Sequence, residues 1–220
     1  MKRFWNFATS GEERTLHLDG AIAESVWWGD ETTPAAFKSD LAAGNGNITV
    51  WINSPGGDVF AAAQIYNMLQ EYPGRVTVKI DGIAASAASV IAMAGNEVMM
   101  SPASYMIIHN PHTIAIGDSA EMEKTKALLD EIKEGIINVY ESKTRLPRDW
   151  ISHLMSEESC FSAKRAVDLG FADGVLYSDP PDASVLLSRM TVMNSILRKH
   201  NPVDSYQKRL DRLKYIGGSL

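Results

Sequence analysis

The chain has 220 residues, 45% of them apolar and 22% charged, with a formal net charge of −6. This is ordinary globular usage, with room for one well-cored domain and an appendage, and it excludes wholesale disorder. One cysteine, Cys160, excludes an internal disulfide framework and fits a reducing compartment.

The basic start Met1-Lys2-Arg3 precedes an apolar run, Phe4 to Ala8, that Asn6 interrupts and Glu12, Glu13 and Arg14 follow. That run is too short for a signal-peptide core. The small-residue uncharged stretch Gly82 to Asn96 falls short of the ~20 residues that span a bilayer. The expectation is a soluble, cytoplasmic protein with no membrane partner. Residues 184–220 carry seven Lys or Arg against two Asp, a balance of +5, which leaves −11 on the first 183 residues. An acidic body gives no basis for nucleic-acid binding, and the basic tail reads as a solvated helical face.

In chain order, residues 14–20 alternate like a strand ending at a glycine turn. Thr33-Pro34 opens a helix through about Ala43 as N-cap and first helical residue. A strand follows over 48–53, then the turn Ser54-Pro55-Gly56-Gly57-Asp58, a helix over 59–70 and a strand over 75–80. A small-residue helix covers 86–94, with strands at 97–100 and 105–109. This alternation predicts an α/β domain with a largely parallel sheet.

Residues 119–144 form one long helical run, with Leu128, Ile132, Ile136 and Val139 on a stripe. Shorter helices are expected over 147–155 and 162–169, the latter ended by Gly170, and a closing strand over 174–177. Asp179-Pro180-Pro181-Asp182 reads as a linker, dividing a body (1–178) from a tail (179–220) helical over 184–200 and 203–215.

Ser86 lies between a strand and a helix in Gly82-Ile83-Ala84-Ala85-Ser86-Ala87-Ala88-Ser89. A serine there projects its hydroxyl from the sheet end, with small neighbours that admit a substrate backbone. The competing reading is a plain helix cap, and Ser89, one turn later, is expected to pack inward. A serine nucleophile needs a base. His109 ends the apolar strand Tyr105-Met106-Ile107-Ile108 and Pro111 stops it, so the imidazole should emerge at the rim; His112 is the near competitor. His17, His153 and His200 lie on a polar strand, a helix face and the tail. The two glycines of Ser54-Pro55-Gly56-Gly57 can expose N–H groups of the kind that form half an oxyanion hole. No metal-ligand spacing and no phosphate-cradling loop appears, so no cofactor is expected. Ser205-Tyr206-Gln207-Lys208 fits a Ser-x-x-Lys pattern, but it sits in the basic tail without glycine turn or sheet and reads as chance.

Ile52-Asn53-Ser54-Pro55-Gly56-Gly57, Gly82-Ile83-Ala84-Ala85-Ser86, Met106-Ile107-Ile108-His109-Asn110-Pro111 and the stretch from Phe161 to Asp173 together resemble, in order and spacing, the proteolytic subunit of the Clp protease. The resemblance covers about residues 14–177. It implies a crotonase-like spiral of βαβ units, Ser86 as nucleophile, His109 as base, and backbone N–H groups of Gly57 and Ala87 as oxyanion hole. It also implies protein substrates and stacked homo-oligomeric rings, with the helix 119–144 as a handle between them. The family's acid position falls on Glu158, where an aspartate is usual, with Glu157 as runner-up. The short front and Trp27-Trp28-Gly29-Asp30 are closer in style to the Clp-related head maturation proteases of phages and prophages, which argues against an ATPase unfoldase partner and for capsid or scaffold substrates in a bacterial host cytoplasm. The rival readings are a general Clp-type degradative peptidase, an acyl-CoA enzyme on the same scaffold, and a ring-forming structural protein with a degenerate site.

Overall fold

The computed structural model describes residues 3–10, 13–22 and 34–177. The expected features at Trp27–Asp30, Thr33, the linker 179–182, the tail helices and Ser205–Lys208 lie outside the described residues.

Strands β1 (Trp5–Ser10) and β2 (Glu13–Asp19) pair antiparallel. Helix α1 (Pro34–Ala42), β3 (Ile48–Ser54), α2 (Val59–Gln70), β4 (Val76–Ala85), α3 (Ala87–Ala92) and β5 (Glu97–Met100) then alternate. β2, β3, β4 and β5 are parallel neighbours, so each intervening helix is a crossover between adjacent strands, as the α/β reading requires. β6 (Tyr105–Ile107), α4 (Ser119–Thr144), α5 (Arg148–Ser156), β7 (Cys160–Ser162), α6 (Ala163–Leu169) and β8 (Gly174–Val175) complete the series. Among the described residues no helix is long and apolar enough to cross a membrane.

The sheet strands are buried because they are apolar and β-branched on the faces that the helices cover. Ile48, Val50 and Ile52 of β3 and Val76, Val78 and Ile80 of β4 are all essentially inaccessible. Each such side chain contributes about 1.5–3 kcal/mol of burial. Against this core sits a buried cation, Arg14, whose guanidinium donates to the carbonyls of Asp40, Leu41 (2.5 Å) and Gly44 (3.2 Å). It thereby satisfies the open C-terminal end of α1 and its dipole.

β4 is longer than the expected strand over 75–80, running on to Ala85, and this length builds the site. Its first half pairs with β5 (Thr77–Ile80) and its second half with β6 (Ile83–Ala85). Asp81-Gly82, polar in the middle of the run, hides the continuity in the sequence. A Cβ on Gly82 would stand 2.4 Å from Asn53 Oδ1, so a larger residue would displace the Asn53 side chain at the irregularity in β3.

Two strands are additions to the sequence reading. β1 is broken by polar residues, yet Phe4 and Trp5 are buried and stack edge-on, with centroids 4.8 Å apart. β7 is three residues whose strand character comes from pairing with β6. The stripe on α4 divides. Leu128 is 52% exposed, whereas Ile136, Ile137 and Tyr140 are buried in the chain's own core. The inner half of the handle is therefore intramolecular core, and only its outer half is open to another subunit.

Candidate active site

Three parallel strands deliver their carboxyl ends to one cavity of about 290 Å³: β3 through Gly57, β4 through Ser86 and β6 through His109. Ligand sites in open α/β sheets form outside such ends.

At the end of β3, the buried Ser54 Oγ donates to the Gly20 carbonyl (2.6 Å) and accepts from the Gly56 N–H (3.1 Å). The turn then runs through Gly56 at φ 96° and Gly57 at φ 150°. A Cβ on Gly57 would lie 2.2 Å from the Ile22 carbonyl oxygen. Ile22 donates to the Gly56 carbonyl (2.8 Å) and accepts from the Asp58 N–H (2.9 Å). That parallel bridge skips residue 57, so the Gly57 N–H stands on the side away from Ile22.

Ser86 has φ 54° and ψ −125°, a backbone conformation that costs a non-glycine residue roughly 1–3 kcal/mol. Its N–H is held by the Ile107 carbonyl at 2.8 Å. Its side chain makes no cap hydrogen bond to α3, which removes the cap reading. The strained strand-to-helix turn instead sets Ser86 in the cavity lining, with Ala87 beside it.

His109 Nδ1 lies 2.7 Å from the Asn110 carbonyl oxygen. A carbonyl only accepts, so Nδ1 is the donor in this contact, which in the neutral ring is the tautomer that leaves Nε2 as the base. No hydrogen bond joins Ser86 to His109 in this conformation. His112 lines the same cavity, its ring centroid 5.2 Å from that of His109, so the structure brings both histidines to the site. His153 is exposed on α5 beside Trp150, and His17 is on β2; neither lines the cavity.

Glu158 and Glu157 are exposed, neither lines the cavity, and neither side chain is hydrogen-bonded. The backbone nevertheless distinguishes them. β6 and β7 pair as Tyr105 with Ser162, Met106 with Phe161 and Ile107 with Cys160. The Ile108 N–H continues the register to the Ser159 carbonyl at 3.0 Å, after which the Glu158 N–H turns to the Met155 carbonyl (3.2 Å); one more step of the register would set Glu158, not Glu157, level with His109. Glu158 itself has φ 48°.

Apolar walls come from Phe60, Val90, Leu128, Leu129, Ile132 and Ile136. Most of the α4 stripe thus faces this chain's own cavity. Sequence reasoning missed Tyr140, which follows Ile132 and Ile136 at intervals of four, and whose hydroxyl is 2.8 Å from Ser89 Oγ. Ser89 packs inward as expected. Among the described residues no cluster of three or more His, Cys, Asp or Glu could hold a metal.

A family model for the Clp protease matches residues 36–179. The ATP-dependent Clp protease proteolytic subunit 1 of Chlamydia pneumoniae is 31% identical over 131 residues, 58% of this chain and 69% of that protein. The ATP-dependent Clp protease proteolytic subunit of Bacteroides thetaiotaomicron is 30% identical over 132 residues, covering 59% of this chain and 60% of the relative. That of Deinococcus radiodurans is 28% identical over 131 residues, with 59% and 64% covered.

Proposed function

The chain belongs to the Clp protease family, and from that premise we propose that it is a serine endopeptidase with Ser86 as nucleophile, His109 as general base and Glu158 as the acid that orients the imidazole. The observation that carries this reading is Ser86, strained in its backbone, uncapped in its side chain and lining the same cavity as His109.

Ser86 Oγ attacks the scissile carbonyl carbon while His109 Nε2 takes its proton. The carbonyl oxygen becomes an oxyanion between the N–H groups of Gly57 and Ala87. Collapse breaks the C–N bond, and the imidazolium returns the proton to the leaving amine. Water, deprotonated by the same imidazole, then attacks the acyl carbon, and the imidazolium returns that proton to Ser86 Oγ as the ester C–O bond breaks and the acid leaves. The imidazolium gains most from a carboxylate behind Nδ1. In this reading Nδ1 exchanges the Asn110 carbonyl for Glu158 when substrate closes the site, because catalytic hydrogen bonds tighten on binding.

The substrates are proteins or peptides, held in a homo-oligomeric chamber. The narrower reading is processing of capsid or scaffold proteins, supported by the glutamate at the acid position. The ATP-dependent names of the relatives support the alternative, degradation with an unfoldase. Digestion of an unfolded protein by the purified chain, alone and with Ser86→Ala, tests the peptidase. Ser86→Ala should cost several orders of magnitude in rate while leaving folding unchanged, and wild-type activity in it would overturn the assignment. Co-expression with candidate capsid proteins, followed by mass spectrometry of cleavage products, separates discrete processing from degradation.

A further inference from the structure

The Ser86 carbonyl oxygen accepts two hydrogen bonds from one residue, the Ser89 N–H at 2.9 Å and Ser89 Oγ at 2.5 Å. A serine hydroxyl has a single proton, and here the carbonyl consumes it. In the contact of 2.8 Å between Ser89 Oγ and Tyr140, the phenol must therefore be the donor. The result is a directed chain from Tyr140 O–H through Ser89 O–H to the Ser86 carbonyl. That carbonyl belongs to the same planar peptide unit as the Ala87 N–H.

Resting on the nucleophile reading above, we propose that Tyr140 and Ser89 are positioning residues for the oxyanion hole, orienting the Ser86–Ala87 peptide and polarising its N–H. Both side chains are inaccessible to solvent, so the chain acts in a low-dielectric setting where hydrogen bonds strengthen one another. Burial pushes the Tyr140 phenol above its ordinary value and the bond to Ser89 pulls the other way, so the donor keeps its proton at neutral pH. The Tyr140 ring is itself fixed edge-on to Phe171, with centroids 5.4 Å apart. The carbonyl bonds also secure the strained backbone of Ser86, since a twist of this peptide would move Ser86 and Ala87 together. Tyr140 is part of α4, so the helix that walls the cavity also carries the first donor of the chain.

The test uses the full chain and the variants Tyr140→Phe and Ser89→Ala/Tyr140→Phe. The double variant removes both polar partners, so no buried donor is left stranded. Measured are kcat and KM on a fluorogenic peptide, the affinity for a peptide boronate whose adduct places an oxygen in the hole, fluorophosphonate labelling of Ser86, and sedimentation and thermal unfolding. A cooperative gain of ~10–30% on a donor that is worth ~10²–10³ in kcat predicts a loss of about two- to eightfold for Tyr140→Phe. The double variant should lose more. Boronate affinity should fall in step with kcat, while KM and sedimentation stay at wild-type values. A folded variant with unchanged kcat and boronate affinity would overturn the proposal, as would a loss that tracks only the fraction of folded protein. Wild-type chain that does not label at Ser86 would instead overturn the nucleophile assignment, and this inference with it.

Discussion

A Cβ placed on Gly56 would stand 2.8 Å from the Cβ of Ser86 and 2.6 Å from the Ala85 carbonyl oxygen. The end of β3 and the turn after β4 are therefore packed backbone to backbone, and the glycine at 56 sets how near the Gly57 and Ala87 N–H groups, the two halves of the proposed oxyanion hole, can come.

Gly56→Ala should accordingly damage catalysis more than the fold. The added methyl meets backbone that cannot swing aside, at φ 96° where alanine is itself strained. Displacing one oxyanion donor costs ~10²–10³ in kcat. A hundredfold or greater loss with wild-type circular dichroism is expected, and wild-type kcat would show that the turn yields without moving Ser86.

Ser54→Ala probes the same turn from beneath. The buried hydroxyl bridges the Gly20 carbonyl and the Gly56 N–H; alanine strands the buried Gly56 N–H, while Gly20 is exposed and its carbonyl can turn to water. One stranded buried group costs about 1–3 kcal/mol. Chemical denaturation should show a loss in that range with an unchanged m-value. Loss below about 0.5 kcal/mol would mean that the turn holds itself.

Much of this was legible in the residues, and the failures have physical causes. Periodicity and turn residues located the helices at 59–70 and 119–144, because each has its own cap, Asp58 and Asp118. The Pro-Gly-Gly turn and the small residues around Ser86 marked the site, since close backbone approach leaves little choice of residue. β7 and the second half of β4 were not legible, because tertiary pairing rather than composition makes them strands. The Ser89–Tyr140 bond spans 51 residues, and neither residue carries a local sign of the other. The side of α4 facing solvent was equally hidden: a stripe records what is apolar and says nothing about which neighbour covers it.

Glu158→Gln should reduce kcat by roughly 10²–10⁴ by analogy with the loss of a triad carboxylate, and Glu157→Gln by less than about twofold. The expectation rests on the β6–β7 register, which runs to Ile108 and Ser159 and, carried one residue on, points to Glu158 rather than Glu157 as the neighbour of His109. Both residues are exposed, so neither change should affect folding. Steady-state kinetics on a peptide substrate decide the matter, and the opposite ranking would transfer the role to Glu157.

The segment between β6 and α4 gives the prediction about assembly. Ile114 and Ile116 are 93% and 95% exposed, and Met122 and Leu128 on the outer half of α4 are exposed as well. A lone exposed isoleucine is unremarkable, but four large apolar side chains exposed within residues 114–128 offer surface suited to burial by another protein. The inner half of α4 offers no such surface, since Ile136, Ile137 and Tyr140 are already covered. The double substitution Ile114→Glu/Ile116→Glu removes nothing from the core, so thermal stability of the folded chain should change little. If a second copy of the chain covers this face, two carboxylates per subunit would be desolvated on association, repeated at every symmetric contact. The variant should sediment as smaller species than wild type, with wild-type circular dichroism and reduced peptidase activity. An unchanged sedimentation profile at the same protein concentration would show that assembly does not use this face, and unfolding of the variant would show that the segment is held by contacts within its own chain.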